Sequence, residues 1–105
     1  MNSTKEIEVQ LEQAKSLLEN SRIVEAEKKT EEILKEFPDN AETLYVMAVC
    51  QRYLNRLEDA LKTLGKLKRI RPGYGRGFQE EGHVCVKAGY MSQALRAYRH
   101  AVRLN

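Results

Sequence analysis

The sequence predicts an all-α fold, an α-α superhelix (solenoid) of three helix-turn-helix repeats, about six helices within one domain covering 1–105. The first observation is a spacing. Ala26, Ala60 and Ala94 lie 34 residues apart, Pro38 and Pro72 keep the same interval, and the small residues Ala14, Ala48 and Gly82 share it. Three separate series in one register mark a tandem repeat, whose units bury too little apolar surface alone to offset their ordering entropy and must stack. The second observation is composition. Two prolines and six glycines in a chain rich in Leu, Ala, Glu, Lys and Arg favour helices, because those side chains lose little rotamer freedom in a helical turn, and no strand-like alternation stands out.

In that register SRIVEAEKKTEEIL, NRLEDALKTLGKLK and GYMSQALRAYRHAV superimpose, each preceded by or containing a turn at Asn20-Ser21, Leu54-Asn55 or Ala88-Gly89. The first unit, about 7–40, predicts helices near 4–19 and 22–36. The second, about 41–74, predicts helices near 40–54 and 57–70. The third, about 75–105, predicts helices near 75–88 and 91–104. Asp39-Asn40-Ala41-Glu42 supplies a cap and a first-turn acid, which satisfy free N–H groups and complement the helix dipole. Pro72 ends a helix by removing a donor, and Gly73 and Gly75 are expected to let the chain reverse before the next helix begins near Arg76. Gly82 falls at a helical position where a side chain would push the paired helix away.

The glycine-rich stretch RPGYGRGFQEEGHVC, residues 71–85, is therefore read as punctuation rather than a phosphate loop. A dinucleotide fingerprint needs a preceding strand and a third glycine, and both are missing here. His83 and Cys85 sit about 200° apart on a helix and cannot form a nucleophile–base pair. Glu80 and His83 have the i, i+3 spacing of di-iron bundles without the second copy that such a site needs. No catalytic residue, cofactor or metal is expected. Cys50 and Cys85 lack metal-type or secreted-framework spacing and read as reduced, packed thiols. The longest apolar run, Val46 to Cys50, is far too short to span a bilayer, and the polar N-terminus is unlike a signal peptide. A soluble, cytoplasmic protein is expected.

The net charge of +3 conceals an asymmetry: residues 1–42 hold six Lys/Arg against eleven Asp/Glu, net −5, and residues 43–105 hold twelve against four, net +8. The basic half raises nucleic-acid binding as a secondary reading, through Lys62, Lys66, Lys68, Arg69, Arg71, Arg76, Arg96, Arg99 and Arg103, with Tyr74 or Phe78 to stack on bases. Arg96, Arg99, His100 and Arg103 recur at helical spacing opposite Leu95, Tyr98 and Val102, the pattern of a solvated face.

A 34-residue helix-turn-helix unit with small residues at the helix contact and a proline after the second helix resembles the tetratricopeptide repeat (TPR). The resemblance covers residues 7–105 and is fullest in the second unit, with Leu44, Met47, Ala48, Ala60, Leu64, Leu67 and Pro72 at the family's bulky, small and proline positions. The third matches with Phe78, Gly82, Ala94, Tyr98 and Ala101. The first departs, with Gln10 and Gln13 where the family has bulky apolar residues. The segments ETLYVMAVCQRYLNRLEDAL and RPGYGRGFQEEGH are also similar to the N-terminal repeat region of bacterial sulfotransferase-like proteins, which implies a larger parent protein and a non-enzymatic role for this part.

The resemblance implies a right-handed solenoid with a concave groove lined by the first helix of each repeat, binding a protein or peptide. By register the groove residues are Leu11 and Lys15 with Glu8 and Glu12, then Tyr45, Val49, Arg52 and Tyr53, then Arg76, Gln79, Glu80, His83 and Lys87. The charge along it is expected to run from acidic through aromatic to basic. One TPR subgroup grips a terminal carboxylate of chaperones through Lys, Asn and Arg. At the matching positions this chain has Leu11, Lys15, Val46, Arg76 and Glu80, of which Arg76 alone suits the task, so no such clamp is expected. Leu95, Val102 and Leu104 should leave apolar surface open, implying either a continuing chain or contact with another copy, a homodimer through the last helix.

Overall fold

The computed structural model describes residues 3–105. Among them are six helices and no strands: α1 (Ser3–Glu19), α2 (Ile23–Glu36), α3 (Ala41–Tyr53), α4 (Leu57–Ile70), α5 (Gly75–Ala88) and α6 (Met91–Leu104). The element order and nearly every boundary follow the 34-residue register. No helix among the described residues is long and apolar enough to cross a membrane.

Each helix packs on its chain neighbour, α1 also packs on α3 and α3 on α5, and among the described residues α2 does not pack along α4 nor α4 along α6. The odd-numbered helices thus form a continuous inner layer and the even-numbered ones splay outwards. The stack measures 45 × 26 × 20 Å.

Small side chains set the spacing within each hairpin. Ala14 and Ala26, Ala48 and Ala60, and Ala94 opposite Gly82 are buried. A Cβ on Gly82 would overlap the Tyr98 ring of α6, so glycine there makes room for an aromatic. Two apolar clusters then fill the junctions between repeats. One gathers Leu11, Ala14, Ala26, Ile33, Val46 and Cys50; the other gathers Leu44, Ala48, Ala60, Leu64, Leu67 and Val84 with Ala41. Tyr45 packs against both. Cys50 and Cys85 are free and fully buried, and desolvation pushes the Cys50 thiol from 9.0 up to about 11, so it stays protonated at neutral pH.

The intra-repeat turns are three copies of one motif. Ser21, Asn55 and Gly89 have φ of 63°, 62° and 86°, the left-handed region, at the 34-residue interval. In each the next residue's N–H reaches back to a carbonyl five residues earlier: Arg22 to Leu17 at 2.9 Å, Arg56 to Gln51 at 2.8 Å and Tyr90 to Cys85 at 2.8 Å. This closes the preceding helix as a Schellman turn. Gly73 and Gly75 do not have positive φ, contrary to the conformational role expected of them; the reversal after Pro72 uses backbone angles open to other residues. Asn40 caps α3 as expected, its side-chain oxygen accepting from Thr43 N–H at 2.9 Å and from the Thr43 hydroxyl at 2.6 Å.

Two stability effects follow. Gly82→Ala should lower unfolding free energy by about 1–3 kcal/mol in a urea titration through overlap with Tyr98. Ser21→Gly should raise it by about 0.5–1 kcal/mol, because a residue with a Cβ is strained in the left-handed region.

Candidate functional site

The inner layer carries most of the residues that the register assigns to the groove, joined there to one another by bonds that cross repeat boundaries. At one end, Lys15 of α1 donates to Glu42 of α3 at 2.5 Å, and Arg76 of α5 lies 3.8 Å from the same carboxylate. The Arg76 guanidinium also sits 4.9 Å over the Tyr45 ring and 5.4 Å over the Tyr74 ring, and it donates to the Tyr74 hydroxyl at 2.7 Å. All three repeats therefore meet in one charged and aromatic cluster. Desolvation raises the phenol pKa of Tyr45 and of Tyr74, so both rings stay neutral and serve as faces for the cation.

Further along, Arg52 of α3 pairs with Glu80 of α5. Glu80 is only 2% exposed, which corrects its expected place as a groove-lining charge: its carboxylate is sealed beneath Arg52. Burial works against the Arg52 charge, but the hydrogen bond and charge of Glu80 outweigh it and raise the guanidinium pKa. The Lys87 ammonium donates to the Arg52 carbonyl at 3.1 Å, and the half-buried His83 shares a 2.8 Å bond between Nδ1 and the Tyr98 hydroxyl. Leu11 is likewise corrected: it is 6% exposed and belongs to the core cluster with Ala14, Ile33 and Val46.

The inner residues left accessible are fewer. Gln79, Arg76 and Lys87 are exposed on α5, and Tyr53 is 57% exposed on α3 beneath the Arg52 guanidinium. Tyr53 and the buried Val49 form one wall of a hollow of about 460 Å³ whose other walls are Leu18, Glu19, Ser21 and Ile23. Leu18, Glu19, Ser21 and Ile23 were not among the residues assigned to the groove. The signal for the first two was present, since Leu18 and Glu19 stand 34 residues before Arg52 and Tyr53.

Two further buried acids, one on α2 and one on α5, escaped sequence reasoning. Glu27 of α2 is 7% exposed and pairs with Arg56, and Glu81 of α5, also 7%, pairs with Lys68 at 3.0 Å. The repeat alignment carried the clue for Glu27, which occupies the place of Leu61 and Leu95. Phe78 is 9% exposed and stacks on His100 with centroids 4.1 Å apart, which corrects both the use of Phe78 as a base platform and the reading of His100 as solvated. Among the described residues no group of three or more His, Cys, Asp or Glu is placed to hold a metal ion.

The positions that match the carboxylate clamp are occupied as follows. Leu11 and Val46 are buried, Lys15 is engaged by Glu42, and the buried Glu80 carboxylate is paired with Arg52.

The family model for the tetratricopeptide repeat matches residues 10–77, and the chain belongs to that family. No curated protein matches the sequence. Solved structures share the fold at low identity. A MamA structure superposes with a TM-score of 0.83 at 17% identity over 93% of this chain and 56% of its own. The second TPR of Spaghetti (RPAP3), bound to the HSP90 peptide SRMEEVD, gives 0.88 at 13% identity over 94% and 92%. An O-GlcNAc transferase variant from Thermobaculum terrenum gives 0.94 at 20% identity over 100% of this chain and 20% of its own. The chain thus spans little more than half of the MamA chain and a fifth of the transferase.

Removing Arg52 tests which role dominates at the Arg52–Glu80 pair. Arg52→Ala leaves a buried carboxylate without its partner and should cost about 3 kcal/mol in a chemical denaturation curve, with Arg52→Ala/Glu80→Gln recovering much of the loss.

Proposed function

We propose that this chain is a protein-interaction module that takes an extended or helical segment of a partner along its inner surface, anchored by an apolar side chain in the hollow between Leu18, Ile23, Val49 and Tyr53. That hollow is the observation that carries the reading. It pairs an exposed tyrosine, a large contact area with a polar tip, with an apolar floor, the combination that supplies binding energy at protein interfaces. Gln79, Arg76, His83 and Lys87 lie along the same inner layer and offer hydrogen bonds and positive charge to the segment beyond its anchor. Lys15, Tyr45, Arg52 and Glu80 hold the repeats in register and shape the surface from beneath. The peptide bound by the RPAP3 repeat supports a peptide ligand for this fold, and the clamp positions here favour an internal segment over a free carboxylate terminus.

The module is the recognition part of a longer protein, as its share of the MamA and transferase chains and its likeness to sulfotransferase-associated repeats suggest. A reducing, cytoplasmic setting fits two free, buried thiols. Nucleic acid is the weaker reading because the aromatics near the basic residues are taken: Phe78 by His100 and Tyr74 by Arg71 and Arg76.

The probe is a random 15-residue peptide library displayed on phage. Selected peptides should share an apolar anchor, and Tyr53→Ala should weaken them at least about tenfold while the helical circular-dichroism signal is kept. Selected peptides that bind Tyr53→Ala and Lys87→Ala as tightly as the parent would place recognition elsewhere.

A further inference from the structure

We propose that the partner segment taken up by the hollow carries a lysine or arginine beside its apolar anchor, this cation docking at the end of α1 against Glu19 and the Leu18 carbonyl. Such chemistry presupposes the hollow as the recognition site and adds the charge of its occupant.

The molecule contains a filled version of the same place. Shifted by one repeat, the lining residues Leu18, Glu19, Ser21, Ile23, Val49 and Tyr53 become Arg52, Tyr53, Asn55, Leu57, His83 and Lys87. There the Lys87 ammonium donates to the Arg52 carbonyl at 3.1 Å, beside the backbone bond that the same oxygen accepts from Asn55 N–H at 2.9 Å. The Leu18 carbonyl is the counterpart of that oxygen. It accepts the matching bond from Ser21 N–H at 3.0 Å, and a carbonyl with two lone pairs has room for a second donor. The position of the lysine is held by Tyr53, whose ring lines the hollow and lies under the Arg52 guanidinium. An ammonium or guanidinium from outside the chain therefore completes, at the first junction, the contact that Lys87 makes at the second.

Charge at the rim has the matching sign. Glu19 is exposed, and among the described residues its side chain makes no ion pair or hydrogen bond. It is also the last residue of α1, at the negative end of the helix dipole, where a carboxylate is unfavourable. The last turns of α2, α3, α4, α5 and α6 each hold a base, and that of α1 holds none. Two bases that flank the lining residues in sequence are already neutralised: Arg22 by a two-pronged pair with Glu25 at 2.7 and 2.5 Å, and Arg52 by Glu80. The rim thus keeps an uncompensated negative charge next to a helix end of the same sign, which costs local stability until a cation arrives. On α5 the exposed Arg76 and Lys87 reverse the sign, so a segment lying across the inner layer is oriented with its base over α1.

The test selects a random 15-residue phage library on the parent chain and on Glu19→Lys, which should keep its helical circular-dichroism signal because the position is exposed and suits a base. Peptides taken from the parent should carry Lys or Arg on one flank of the apolar anchor. Replacing that base by Glu in a synthetic copy should weaken binding to the parent about tenfold, and by less at high salt, while on Glu19→Lys the preference should reverse. Peptides that lose affinity for Tyr53→Ala, yet bind the parent and Glu19→Lys alike whether they carry the base or Glu, overturn this inference and leave the hollow as the site. Peptides indifferent to Tyr53→Ala refute the hollow itself, and the docked cation with it.

Discussion

Everything in this molecule depends on how closely two helices of a hairpin approach. With alanine or glycine at Ala14 and Ala26, Ala48 and Ala60, and Gly82 and Ala94, the helices of each pair come near enough to leave one apolar flank per hairpin rather than two separate helical stripes. A flank of that shape has one way to become dry, which is to lie on the next hairpin. Translation of the contact by 34 residues therefore becomes translation of the structure, and the inner layer of α1, α3 and α5 is its geometric consequence.

The inner surface is built from charges that answer one another across repeats. Lys15, Glu42 and Arg76 span three repeats at one end, and Arg52, Glu80 and Lys87 tie the second to the third. Pairs of this kind add little when exposed, yet a buried carboxylate that finds its cation in one register alone penalises every slipped arrangement. Apolar burial drives the stacking, and the acids at Glu27, Glu80 and Glu81 specify its alignment. Tyr53 and Gln79 stay outside this network, which is why the proposed recognition surface is built on them.

The helices were legible because a periodic signal survives the loss of any one residue: Gln10 and Gln13 depart from the family pattern, and α1 still forms on Leu11 and Ala14. The site was less legible. Register places a residue on a face but does not say whether a neighbour covers it, so Leu11 and Glu80 read as lining residues and proved buried. Ion pairs such as Arg52 with Glu80 join positions 28 apart, close to but not on the repeat, and no local pattern announces them. Glycine misled in a different way: the residues that take the left-handed turn are Ser21, Asn55 and Gly89, and the conspicuous Gly73 and Gly75 do not.

Tyr98 links two regions that otherwise look independent. Its ring occupies the space that Gly82 leaves on α5, and its hydroxyl shares a 2.8 Å bond with His83. A tilt of α6 would strain the bond between the Tyr98 hydroxyl and that imidazole, so the seating of α6 and the orientation of His83 are set together.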